Sequence, residues 1–179
     1  MNKRRSPTLT ILPMIKAQLK TQIGNSCLKS GWLLSIITIF FGAPVLADTA
    51  HFGTIRLSPG FNPASTSISG YTGGSYSLSA ITNRDINNKA CLGFADPTPD
   101  HIIILEQDFS QLRLLVNSGG TDTTILIQAP DNTVYCGDDT DMNKNASINL
   151  KNPKAGNYKV WVGTFNANVK QNYTLNLQQ

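Results

Sequence analysis

The chain has 179 residues, 40% of them hydrophobic, and its 15 Lys and Arg against 11 Asp and Glu give a formal charge of +4. Six of the basic residues (Lys3, Arg4, Arg5, Lys16, Lys20 and Lys29) precede Asp48 and no acidic residue does, so the remainder carries 15 − 6 = 9 basic against 11 acidic residues, a net charge of −2. That remainder has no Lys/Arg cluster, which excludes nucleic-acid binding by phosphate neutralisation, the main source of such affinity.

The first recognisable element is Trp32 to Ala47, an apolar run of 16 positions that follows the basic leader and closes on Val45-Leu46-Ala47. A positive stretch, an apolar core and small residues at the end are the marks of a secretory signal peptide. The run contains Ser35 and Pro44 and falls short of the roughly 20 apolar residues that a membrane-spanning helix needs, so no stable span is expected after cleavage. Met14 is an alternative start. Arg4-Arg5 lies too far from the apolar core for a twin-arginine signal, and Cys27 precedes that core, which argues against lipid attachment. The organisation expected is a leader over 1–47 and one domain over 48–179, a length that suffices for a single core.

Beyond residue 48 the chain is a series of short alternating runs broken by Gly, Pro, Asn and Asp. In order they are Phe52 to Leu57, Tyr76 to Ile81 after a glycine-rich turn, His101 to Leu105, Leu112 to Val116, Thr123 to Ala129 and Thr133 to Cys136. Ala146, Ile148 and Leu150 then share one face, as do Tyr158, Val160 and Val162, and finally Tyr173, Leu175 and Leu177. Period-two alternation at spacings of about 8 to 12 residues predicts an all-β fold, an antiparallel sandwich or barrel, because each strand buries one face. Ala129-Pro130-Asp131-Asn132 predicts a tight reversal, Asn152 to Asn157 another, and a meander of hairpins is expected to follow. Asn83 to Pro99 lacks periodicity and reads as a long surface loop.

Of three cysteines, Cys27 belongs to the leader, leaving Cys91 and Cys136 as a pair for an oxidising compartment. No CxxC and no nearby histidine supports a metal site or a reactive thiol, so a disulfide is expected between them, and Cys91 tethers the long loop.

Several of these segments together resemble a known family. Asp122 to Ile127, Pro130-Asp131-Asn132, Cys136-Gly137-Asp138-Asp139, Ala155 to Gly163 and Tyr173-Thr174-Leu175 look like the bacterial pre-peptidase C-terminal domain, over roughly Pro99 to Gln179. The resemblance implies a jelly-roll-like β-sandwich, here as a stand-alone secreted member, serving as an accessory or binding module. It also implies that calcium is a candidate ligand, since some relatives bind it. Asn132 departs from the pattern, standing where glycine is usual; left-handed geometry tolerates it at modest cost.

The strongest chemical candidate is the acidic loop from Asp138 to Asn145. Oxygens from Asp138, Asp139, Asp141, Asn143 and Asn145 could wrap calcium, which accepts six to eight oxygen ligands from a flexible loop. It is not an EF-hand, because Lys144 and Leu150 occupy the positions that need glycine and glutamate. The competing reading is a solvated hairpin loop whose side chains cap their own backbone. Asp122 and Asp131 lie at opposite ends of one expected strand, about 30 Å apart if extended. They cannot share an ion; either could approach the Asp138 cluster through neighbouring loops, but each reads most simply as a turn residue.

Catalytic chemistry finds little to use. There is no Gly-x-Ser-x-Gly and no His-Glu-x-x-His; His101 reads as a locally satisfied strand-end residue, and Glu106 and Asp108 as a strand-end turn. A binding surface is the other candidate: if Tyr158, Val160 and Val162 face the core, Lys159, Trp161 and Phe165 lie opposite, where an exposed Trp could stack on a sugar ring. The alternative is that the Asn83 to Pro99 loop or the N-terminal strand covers this face.

Together these readings predict a secreted, disulfide-stapled β-sandwich, periplasmic or extracellular. Its expected work is non-catalytic, as a binding or accessory module for a polysaccharide or protein at the cell surface, with calcium as the one candidate cofactor. A structural role with no small ligand and a small secreted hydrolase are the alternatives.

Overall fold

The computed structural model describes residues 48–140 and 143–179, with backbone alone at 140 and 143. The leader and its signal peptide, expected over 1–47, lie outside the described residues. Among the described residues there is no α-helix, and no helix is long and apolar enough to cross a membrane.

The strands are β1 (Thr54–Leu57), β2 (Ser67–Tyr71), β3 (Tyr76–Ser77), β4 (Phe94–Ala95), β5 (His101–Leu105) and β6 (Gln111–Asn117). They continue as β7 (Thr123–Gln128), β8 (Val134–Gly137), β9 (Asp139–Thr140), β10 (Asn143–Lys151), β11 (Gly156–Thr164) and β12 (Asn172–Gln178). One sheet has β11 at its centre, with β7 then β8 on one side. On the other side β5 and then β1 flank its first half, and β4 and then β3 its end. The second sheet runs β2-β12-β6-β10-β9. Every pair is antiparallel except β1 with β5, which is parallel.

Alternation in sequence becomes layering in space. Leu112, Leu114 and Val116 of β6 and Tyr173, Leu175 and Leu177 of β12 face Ile125 and Ile127 of β7 and Tyr158, Val160 and Val162 of β11 in one continuous buried core. This is the β-sandwich the period-two pattern predicts. The expected turns also form: Asn132 adopts φ 66° and Asn152 φ 50°, the left-handed geometry that Asn tolerates.

Two expectations need correction. Tyr76 to Ile81 is not one strand; β3 ends at Ser77 and Leu78–Ala80 form a 3-10 turn, burying Leu78. The segments after Cys136 are not a simple meander, because β10 pairs with β6 and β9 whereas β11 pairs with β5, β7 and β4. The chain therefore changes sheets between β10 and β11 and again before β12, as a sandwich requires if both layers are to use the C-terminal strands.

Cys91 and Cys136 form a disulfide with a Cα–Cα distance of 5.3 Å, within the span such a bridge needs. Bridges of this kind form and persist in oxidising compartments. The bond pins the loop before β4 along the outer edge of β8. Ile86 N–H donates to the Val134 carbonyl at 3.1 Å, and the Asp85 carboxylate accepts from Cys136 N–H at 3.2 Å. Beneath this loop a second, smaller core gathers Leu78, Cys91, Ala95, Leu126, Cys136 and Trp161.

Candidate functional site

Three carboxylates converge at one end of the sandwich. Asp122 ends the loop before β7, Asp138 follows β8 and Asp139 opens β9, and an oxygen from each lies within 4.8 Å of the others. The fold holds the approach rigidly. Thr123 Oγ1 accepts from Ala146 N–H at 3.1 Å and donates to the Lys144 carbonyl at 3.3 Å, tying the start of β7 to β10. Gly137 sets the second approach: a Cβ there would overlap the Ser147 carbonyl oxygen and lie 2.8 Å from Ile125, so only glycine passes between β7 and β10 to deliver Asp138.

The electrostatics are those of an uncompensated cluster. Among the described residues no Lys, Arg or His forms an ion pair with any of the three. Burial comes first in raising the Asp138 carboxyl above the usual carboxylate range. The charges of Asp139 and Asp122 raise it further, against a hydrogen bond from the Asp139 backbone. An all-oxygen donor set of carboxylates suits a hard cation such as calcium or magnesium rather than zinc or copper.

The candidate ligand set needs revision on this geometry. Asp138 and Asp139 are in the cluster. Asn145 is not available, because its Oδ1 accepts from Ser118 Oγ at 2.8 Å and Ser118 N–H at 3.1 Å. Asp141 and the side chain of Asn143 lie outside the described residues. Asp122, read as a turn residue, joins the cluster instead, whereas Asp131 at the other end of β7 caps its own turn by accepting from Thr133 N–H at 2.9 Å.

The aromatic surface proposed around Trp161 is not formed. Trp161 is 5% exposed, lies in the smaller core under the disulfide-tethered loop, and donates through Nε1 to the Pro97 carbonyl at 3.3 Å. Lys159 pairs with Asp48 at 3.0 Å, and Phe165 stands past the end of β11, 53% exposed. The physical reason is that alternation on β11 serves two cores: Val160 and Val162 face the main one, and Trp161 faces the smaller one on the outer side.

The histidines take different roles. His101 is not satisfied locally; it is fully buried on β5 and its Nε2 bonds to the Tyr173 hydroxyl of β12 at 2.8 Å, a polar bridge between the two sheets. Its Nδ1 has no partner, and burial lowers its pKa to about 4, so the ring is neutral at physiological pH. Next to it in sequence, Asp100 accepts from Val162 N–H at 2.6 Å. Burial raises its pKa to about 7, opposed by that hydrogen bond and assisted by the charge of Asp96. His51 pairs with Asp96 at 3.3 Å, but both side chains are more than a third exposed. Among the described residues no serine, threonine or cysteine side chain bonds to this imidazole. Glu106 accepts from Ser58 Oγ, and Asp108 pairs with Lys154 and accepts from Ala155 N–H, so both serve turns.

No family model matches this chain, and no curated protein does. Among solved structures it is similar to the pre-peptidase C-terminal domain of a collagenase from Bacillus anthracis, at 15% identity and a TM-score of 0.40, over 70% of this chain and 94% of that one. It is also similar to PliG of Aeromonas hydrophila, a periplasmic inhibitor of g-type lysozyme, at 13% identity and a TM-score of 0.33, over 70% of this chain and 98% of that one. Both are low-identity similarities of fold, and family membership does not follow from them.

Proposed function

We propose that the domain is an exported, non-catalytic binding or accessory module, working at the cell envelope or outside the cell and stabilised by a calcium ion held by Asp122, Asp138 and Asp139. The observation that carries this reading is the convergence of three unpaired carboxylates from two loops within 4.8 Å. Gathering like charges at one point costs stability unless a cation neutralises them. Extracellular modules meet calcium at concentrations where sites with dissociation constants of about 10⁻⁴ to 10⁻³ M fill, so a few carboxylates completed by backbone oxygens and water suffice.

A non-catalytic role agrees with the titratable groups. The buried imidazole is committed to Tyr173, and the exposed one has no nucleophile bonded to it. The Cys91–Cys136 disulfide supports a home outside the reducing cytosol.

The test is thermal unfolding of the purified protein in calcium and in chelator. Calcium at a hundred times its dissociation constant should add about 2.7 kcal/mol to the native state, or roughly 10 °C in melting temperature for a domain of this size. Asp139→Asn should remove most of that gain. An identical melting temperature in saturating calcium and in chelator would overturn the metal reading.

A further inference from the structure

The outer strands of a sheet expose amides that need an answer, and β2 is the long one left without it. Among the described residues β3 and β9 are two residues long, β8 is covered by the disulfide-tethered loop, and β1 carries the charge of Arg56. β2 runs five residues, Ser67–Tyr71, and pairs with β12 alone. Leu177 N–H donates to the Thr66 carbonyl at 3.2 Å and Thr72 N–H to the Gln171 carbonyl at 2.8 Å, which fixes the phase of this antiparallel ladder. Residues 66, 68, 70 and 72 exchange bonds with β12, so the N–H and C=O groups of Ser67, Ser69 and Tyr71 point away from the sheet. No described residue answers them, and all three residues are exposed.

The core is also unfinished on this side. Phe52, two residues ahead of β1, packs against Tyr71, His101 and Tyr173, so the β1-β5 border of one sheet faces the β2-β12 border of the other. Ile55 of β1, Phe61 of the connection and Ile68 of β2 close this flank of the main core and are only partly buried. What can complete such a border is an extended strand, because only a strand presents donors and acceptors at the same spacing. β2 suits a second β2. An antiparallel pair related by a two-fold axis at Ser69 sets Ser69 opposite Ser69 and Ser67 opposite Tyr71, and all three N–H and all three C=O groups of each copy are then bonded. No charge lies on the strand. Lys170, whose Nζ stands 4.2 Å from the centre of the Tyr71 ring, is at the far end of the pair from its mate, since the two Tyr71 positions are four residues, or about 14 Å, apart.

We infer that the protein pairs with a second copy of itself through β2, edge to edge and antiparallel, joining the two β2-β12-β6-β10-β9 sheets into one. The pairing goes beyond the role proposed above and does not depend on the metal. An unrelated strand would satisfy the same amides, but a second copy also returns its own uncharged Ser-Ile-Ser-Gly-Tyr edge and its own half-open flank to the seam.

The experiment is sedimentation velocity of the purified protein from about 10 μM to about 1 mM, the range of weak specific association. A reversible, concentration-dependent dimer is expected. Ser69→Lys and Ser69→Glu each set two like charges face to face across the axis, on an exposed side chain that makes no bond within the monomer. Each should weaken dimerisation by about tenfold or more with an unchanged melting temperature. Mixed in equal amounts, the two variants should recover a dimer that salt weakens, because lysine then faces glutamate. Ser69→Pro removes an outward N–H while sparing every bond to β12, and should abolish the dimer through the backbone alone. Protein that stays monomeric at the highest concentration overturns the inference, as does a dimer that survives Ser69→Lys or Ser69→Pro. A mixture of the Lys and Glu variants that remains monomeric overturns the two-fold axis at Ser69 and the inference with it.

Discussion

Asp100 and His101 are adjacent, both buried, and displaced in opposite directions from their ordinary titration ranges, so their effects on stability should cancel in the native protein and reappear when either is removed. His101 titrates near 4 in the folded state and at 6.5 when unfolded; between those values the unfolded chain binds the extra proton, and stability rises with pH. Asp100 titrates near 7 folded and 3.8 unfolded; between those values the folded chain binds the extra proton, and stability falls with rising pH. Over the shared window, about pH 4 to 6.5, one proton moves from imidazole to carboxyl on folding and the net slope from the pair is zero. Moving a titration midpoint by one pH unit corresponds to about 1.4 kcal/mol, so the separated contributions are about 3 kcal/mol for His101 and about 4 kcal/mol for Asp100. Asp100→Asn should therefore unmask the imidazole, with stability rising by about 3 kcal/mol from pH 4 to 6.5 relative to the native protein. His101→Gln should do the reverse, with a fall of about 3 kcal/mol from pH 4 to 6.5 relative to the native protein. The measurement is urea unfolding at half-unit pH intervals, read as the difference in slope so that the constant cost of each substitution drops out. Slopes that match the native protein in both variants would refute the opposed titration.

Two further outcomes are expected. Replacing Cys91 and Cys136 by Ser opens a covalent loop with a sequence separation of 45 and should cost about 4 kcal/mol in urea unfolding, with Trp161 emission moving to the red as its covering loop loosens; unchanged emission would mean the loop is held by other contacts. Gly137→Ala drives a methyl into the Ser147 carbonyl and should destabilise by about 1 to 3 kcal/mol, weakening any calcium response at the same time because Asp138 is displaced; a variant as stable as the native protein would show that the backbone there can give way.

The all-β class and most strands were legible because a sheet buried on one face leaves a period of two, and β6, β10 and β12 show it cleanly. At Trp161 of β11 the alternation left two readings open, an exposed ring or one covered by the Asn83 to Pro99 loop, and the second holds: local alternation says which residues lie opposite the core, but a loop tens of residues away decides whether that side meets water. Tyr76 to Ile81 misled for a related reason, since Leu78 is buried by a turn rather than a strand. The sheet order was not legible either, because pairings such as β10 with β6 depend on contacts remote in sequence. Asp122 was within reach. The reversal at Ala129 to Asn132 fixes the β7-β8 register, and counting outward from Gln128 opposite Val134 brings Asp122 level with Thr140, next to the acidic pair. His101 and Tyr173, 72 residues apart, left no local sign of their bond.

The segment held along β8 has a consequence for how the chain survives its own synthesis. A terminal strand with unsatisfied amides is a template for other molecules to add to. Here the amide of Cys136 is answered by the Asp85 carboxylate and the carbonyl of Val134 by Ile86. The sulfur bond that fastens this guard needs an oxidising compartment to form, and until it forms that border of the sheet is open to intermolecular stacking. Oxidation thus closes a route to polymerisation as well as adding stability.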